Sequence, residues 1–175
     1  MGSRGGTRQG AAARHLVNLA RLSWAHGSGS ASPMLSFERL IGDHSAIAAA
    51  AAALVRALQE DALPAELAAG VKRLDAALTP HLAIEDEQIY PLLLASKDAG
   101  QRVTAREAIE AYAALSPRWR AFVTSWDEAA ITTNRKGFAA DLDQILQMIQ
   151  GRVRSENETL YPMALRGAHI RLRGA

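Results

Sequence analysis

Apolar residues recur at three- and four-residue intervals along most of this chain, the spacing of helices with one buried face. Leu40, Ile41, Ile47, Leu54 and Leu58 mark the inward side of a first helix predicted from Leu35 to about Gln59, with Ser36 as candidate cap and Glu38 suited to its N-terminal dipole. Pro64 opens a second, whose Leu67, Val71, Leu74, Leu78, Leu82 and Ile89 extend it to about Leu94. Pro80 predicts a kink just before His81. A third helix is expected over roughly Val103 to Ala130, bent at Pro117. The last, about Lys136 to Arg166, follows the turn-like Thr132-Thr133-Asn134 and carries Phe138, Leu142, Ile145, Leu146, Ile149, Val153, Leu160 and Met163. No segment alternates strictly enough to demand a strand. The expected fold is all-α: an antiparallel up-down-up-down four-helix bundle, with an additional short N-terminal helix or arm.

The punctuation sets the domain limits. Residues 1–33 form a basic, flexible arm in which Ala11 to His26 suits a short helix; 34–167 is the bundle; 168–175 is a C-terminal tail. Trp24 is the candidate anchor of the arm, and His15, His26 and His169 read as ordinary surface or packing residues. At 175 residues one core is the expectation. The aromatic content of 5% leaves Leu, Ala, Ile, Val and Met to fill it, so Trp119 and Trp126, seven apart on one face, read as packing.

Charge adds little to the picture. The arm holds four arginines and no acid, leaving 16 basic against 18 acidic residues beyond it. That is too sparse for a nucleic-acid surface. No uninterrupted run of eighteen apolar residues occurs, so neither a membrane-spanning helix nor a membrane partner is expected, and the expected location is cytoplasmic. The absence of cysteine removes disulfides, thiolate metal ligands and a cysteine nucleophile.

One stretch carries the chemistry. In His81-Leu82-Ala83-Ile84-Glu85-Asp86-Glu87-Gln88-Ile89-Tyr90-Pro91 an imidazole and a carboxylate four residues apart share one helix face. The text returns 71 residues later, with Glu156 for Glu85, Glu158 for Glu87 and Tyr161-Pro162 for Tyr90-Pro91, but with Arg152 in the register of His81. Pro80 and Gly151 weaken the two helices at matched positions. In the expected bundle His44, His81, Glu85 and Glu156 meet at one end.

Neither a phosphate loop nor a GxSxG or HExxH motif is present. Asp43-His44, His81-xxx-Glu85 with Tyr90-Pro91, and Glu156 with Leu160-Tyr161-Pro162 give the chain, over about residues 35–165, a pattern that resembles the hemerythrin-like, or HHE cation-binding, family. The resemblance implies a four-helix bundle holding two iron ions between histidines and bridging carboxylates, for oxygen binding, iron handling or responses to oxidants and nitric oxide. It assigns His44, His81, Glu85 and Glu156 as ligands. Arg152 stands where a fourth-helix histidine is expected, and Val103 to Leu115 lacks the third-helix one.

Two histidines and two carboxylates suit one iron or zinc ion better than two. The expected function is therefore a hemerythrin-like protein with a reduced, mononuclear or vestigial site, one Fe or Zn ion or none, and a small diatomic ligand if the metal is bound. The alternative is a metal-free interaction or scaffold protein in which Arg152 turns inward and compensates the carboxylates. A third arrangement leaves Arg152 outward and the carboxylates solvated. Asp43, Tyr90 and Tyr161 are candidates for supporting contacts, with both tyrosines read as packing and hydrogen-bonding groups near helix ends rather than redox groups. Glu107 and Glu110 are not assigned as ligands. A homodimer is a candidate assembly, no residue is assigned as catalytic, and an acid/base role for Glu85 or Glu156 has no substrate to accompany it.

Overall fold

A computed structural model describes the backbone over residues 37–172 and the side chains over 37–166. The expected cap Ser36, the arm with its short helix and Trp24, His15 and His26, and the side chain of His169 lie outside these. Among the described residues there is no strand. Helix α1 spans Phe37–Gln59 and α2 Pro64–Ile84, running on through a π-helical turn, π1 (Glu85–Ile89), into α3 (Tyr90–Leu94). Three shorter helices follow: α4 (Ala99–Tyr112), α5 (Leu115–Ser125) and α6 (Glu128–Thr133). Helix α7 (Arg135–Ser155) continues through π2 (Glu156–Leu160) into α8 (Tyr161–Leu172).

Local chemistry accounts for most boundaries. Pro64 sits in the first turn of α2, where no amide proton is needed, and Glu66 accepts the Leu63 N–H at 3.1 Å. Asp98 caps α4, Asp127 caps α6 and Asn134 caps α7. The single long third helix expected from Val103 to Ala130 is divided at Ala113–Ala114, three residues before Pro117 and without a side-chain cap, and again at Asp127. Asp127 in particular starts a new helix where the older one ends at Ser125. The final helix passes Arg166 and reaches Leu172.

The break in α-helical pitch expected before His81 falls after it. The α-helix runs through Pro80 and through Gly151, and both π turns begin at a glutamate, Glu85 or Glu156, and end just before Tyr-Pro. Pro91 and Pro162 cannot donate, and in a regular helix their rings would meet the carbonyl four residues back; widening the preceding turn relieves this. The Tyr90 N–H then bonds Glu85 O, and the Tyr161 N–H bonds Glu156 O. Residues five apart lie about 140° around a regular helix, but a turn closed five residues on brings them near one face. Glutamate and tyrosine can therefore point the same way.

Helix α1 lies along α2 with Leu54 against Gly70 and His44 against His81, the crossed order of an antiparallel pair. Arg135, at the start of α7, reaches the α1–α2 connection through Ala62 O at 2.8 Å and Asp61 at 3.1 Å. The apolar interior is in two parts. One holds Ile47, Leu54, Leu74, Trp119, Phe138 and their neighbours; the other holds Leu40, Ile89, Tyr90, Leu93, Leu160 and Tyr161. Of the expected inward residues Ile41 is a correction, being 49% exposed, because the face of α1 that meets its neighbours is set by Leu40, His44, Ile47 and Leu54. Helix α1 is also, by length and composition alone, long and apolar enough to cross a membrane, contrary to the sequence expectation; its alanine run raises the mean hydropathy.

Gly70 lets α1 and α2 approach closely, since a Cβ there would stand 2.7 Å from Leu54 Cδ1. Gly70→Val is expected to lower stability by about 1–3 kcal/mol in denaturant melts through overpacking. Combined with Leu54→Ala it should cost clearly less than the two single changes added, because the smaller side chain makes the room the larger one needs.

Candidate metal centre

Between the two apolar regions lies a polar layer. Among the described residues, the buried imidazole and charged side chains are His44, His81, Glu85, Arg152 and Glu156. Each helix contributes through its period. Leu40, His44 and Ile47 follow one stripe of α1, and Ile149, Arg152, Glu156 and Leu160 follow one stripe of α7 and π2, so the polar residues share the face that also fills the core. The site is therefore sealed by apolar side chains on both sides. It does not sit at an open end of the helices, and a solvated arrangement is excluded, Glu85 and Glu156 each being 1% exposed.

The structure brings all four expected ligand residues together. One donor atom from each of His44, His81, Glu85 and Glu156 lies within 4.8 Å of the others. His44 Nε2 is 3.3 Å from Glu156 Oε2, and His81 Nε2 is 3.4 Å from Glu85 Oε2. Bonds of about 2.0–2.1 Å to a tetrahedral ion put neighbouring ligand atoms roughly 3.3 Å apart, so two edges already match. His81 Nε2 and Glu156 Oε2 are buried without a hydrogen-bond partner, a costly state that a cation between them would relieve; His81 Nδ1, on the far side of the ring, is also without one.

Arg152 points inward. Its Nε donates to Glu156 Oε1 at 2.7 Å, and its Nη2 donates to Glu85 Oε2 at 2.9 Å and to Asp86 Oδ1 at 3.0 Å. The Tyr90 ring lies beneath it, 5.1 Å from Cζ to the ring centre, a cation–π arrangement. The two tyrosines cross over between the copies of the repeat. Tyr90 donates to Glu156 at 2.9 Å, and Tyr161 donates to Glu85. Both phenols pack and hydrogen-bond, as expected. Burial, with the carboxylates beside them, holds both protonated well above the usual phenol range.

Burial pushes His81 down to about 4, assisted by His44 next to it, which keeps the ring neutral as a metal ligand must be. Burial beside Glu156 raises Glu85 to about 8. Burial opposes ionisation of Glu156 too, but hydrogen bonding toward His44 and the Arg152 guanidinium outweigh it and hold the carboxyl low. Two adjacent buried carboxylates cannot both ionise cheaply unless positive charge is added.

Behind the histidines stand two further groups. His44 Nδ1 is 3.0 Å from Asn157 Oδ1, and His81 Nδ1 is 3.7 Å from Asp43, which is about a third exposed. Both imidazoles therefore turn Nε2 toward the centre. The chain over residues 35–164 matches the hemerythrin HHE cation-binding domain. It belongs to that family. No curated protein and no solved structure matches the chain. In this HHE domain Asp86 and Asn157 were not singled out by sequence reasoning, although the repeat carried the signal: they follow Glu85 and Glu156 at the same register. Glu107 and Glu110 are exposed and outside the cluster.

Removing the guanidinium leaves buried carboxylates uncompensated. With chelator present throughout, Arg152→Ala is expected to lower stability by about 3 kcal/mol in denaturant titrations. Arg152→Lys should recover only part, because an ammonium cannot span three carboxylates as the planar fork does.

Proposed function

We infer that this HHE domain holds one divalent transition-metal ion, iron or zinc, between His44, His81, Glu85 and Glu156, with Arg152 in place of a further ligand. The observation that carries the reading is the buried donor set with its unpartnered His81 Nε2 and Glu156 Oε2. Charge supports a single ion. Glu85, Glu156 and Asp86 surround one guanidinium, so these four groups, all ionised, fall two positive charges short of neutrality. A second cation would face Arg152 directly.

The scaffold for this site is an up-down-up-down four-helix bundle. Its supports are the crossed contacts of α1 with α2, the contacts of Arg135 with Ala62 and of Arg152 with Glu85 that run α7 parallel to α2, and the crossed pairs Tyr112–Gly151 and Trp126–Asp141 between the third segment and α7. When bound, the ion supplies a Lewis-acidic centre for water or a small diatomic ligand. The protein's part is to keep His81 neutral, hold the carboxylates through Arg152, Tyr90 and Tyr161, and exclude bulk water with the apolar regions on either side.

A second reading has one specific observation in its favour: Arg152 already bonds both carboxylates and Asp86. In it the layer is a metal-free polar network within an interaction or scaffold protein. The two readings separate by thermal melting with and without strong chelator, since a metal that binds only the folded chain must stabilise it. An unchanged melt favours the network.

Protein purified without chelator is expected to carry close to one equivalent of iron, zinc or manganese by elemental analysis; less than about a tenth of an equivalent would sink the one-metal reading at native occupancy. Arg152→His removes the fixed charge and adds an imidazole four residues before Glu156. It should tighten zinc or iron binding in calorimetric titrations, and Glu156→Ala in that background should abolish the gain. An Arg152→His chain that binds no better would show that Arg152 does not stand in for a ligand or a cation.

A further inference from the structure

His44 reaches the centre through Nε2, and the group behind Nδ1 decides whether that atom offers a lone pair or a proton. That group is Asn157, 3.0 Å away, which follows Glu156 in π2 and is exposed where Glu156 is buried. A side-chain amide carries both an acceptor and a donor, and a half-turn exchanges them. With Oδ1 toward the ring, Nδ1–H donates and Nε2 is a bare lone pair. Nε2 then faces Glu156 Oε2 at 3.3 Å and the Tyr161 hydroxyl oxygen at 3.3 Å, whose only proton goes to Glu85. Acceptors meeting acceptors in a buried layer are stable around a cation and costly without one. With Nδ2 toward the ring, Nδ1 accepts and Nε2–H donates to Glu156 Oε2, which satisfies the layer with no cation present.

We propose that Asn157 is the positioning residue that sets the His44 tautomer, accepting Nδ1–H so that Nε2 faces the metal, and turning to donate to Nδ1 when the site is empty. This rests on the one-metal reading of the same site. The partner behind His81 differs in kind. Asp43 is 3.7 Å from His81 Nδ1, beyond a hydrogen bond, and when ionised favours a proton there in both states through charge alone, so only His44 has a hydrogen-bonded partner that can reverse. Asn157 is exposed, which leaves its amide room to turn and makes its replacement tolerable to the fold.

Nitrogen-15 spectra of the histidine rings, taken under alkaline conditions that keep imidazoles neutral, read the tautomer directly. In chelated wild type the His44 proton is expected on Nε2, and addition of zinc should move it to Nδ1. Asn157→Asp should hold it on Nδ1 with and without zinc. Asn157→Leu should leave it on Nε2 in the chelated protein and weaken zinc binding about 10- to 100-fold, with Asn157→Asp binding at least as tightly as wild type. The same His44 tautomer in the chelated Asp and Leu variants overturns the proposal, and so does wild-type zinc affinity in the Leu variant. If no chain binds zinc, the one-metal reading fails, and the spectra of the chelated proteins decide alone: different tautomers keep Asn157's role, identical ones end it.

Discussion

The arrangement depends on two glutamates buried side by side. A single buried carboxylate can protonate or borrow a donor; two within reach of each other demand positive charge, and the rest of the layer supplies it or makes room for it. Arg152 bonds one oxygen of each. Tyr90 and Tyr161 each donate to the glutamate of the opposite copy of the repeat, which ties α2–π1–α3 to α7–π2–α8 through the centre. The imidazoles of His44 and His81, 4.6 Å between ring centres, close the remaining side. A polar layer of this kind is costly to leave half satisfied, so its geometry constrains the register of every helix that enters it.

That register is maintained by the apolar regions on either side. Leu40 and Ile47 flank His44 on one stripe of α1, Leu82 and Ile89 flank Glu85, and Ile149 and Leu160 flank Arg152 and Glu156. A shift of one residue in any of these helices would bury a surface side chain and expose one of the polar groups of the layer. The π turns belong to the same design. They let proline follow tyrosine closely in the chain and still bring each tyrosine to the face that carries its glutamate. Chemistry and packing therefore share one set of helices, and the site cannot rearrange much without disturbing both regions of the core.

Much of this was legible in the chain. The three- and four-residue spacing of leucines and isoleucines gave the long helices and nearly all of their buried faces, because burial of a stripe leaves a periodic trace in the text. The four-residue spacing of His81 and Glu85 places both side chains on one face of any helix, and the repeated Glu-xxxx-Tyr-Pro pointed to Glu156 as the counterpart of Glu85, although only the π turns bring each glutamate and its tyrosine to one face. The family resemblance followed from the same words, and the match over residues 35–164 covers nearly the same stretch.

What the tertiary structure alone decided is direction and depth. Sequence cannot say which way an arginine points at a helix position, because both orientations satisfy the helix; Glu156 lies one turn on from Arg152 in the same segment, but only the meeting of π1 with α7 brings Glu85 and Asp86 within reach and turns the guanidinium inward. It cannot say that the carboxylates are sealed, because the apolar lid of Tyr90, Leu93, Leu160 and Tyr161 is assembled from two segments about 70 residues apart in the chain. Nor does a helical period reveal where Pro91 and Pro162 widen the preceding turns, or that Asn157 stands behind His44 across 113 residues of chain. Periodicity fixes what faces the interior; which interior groups then touch one another is settled only when the helices pack.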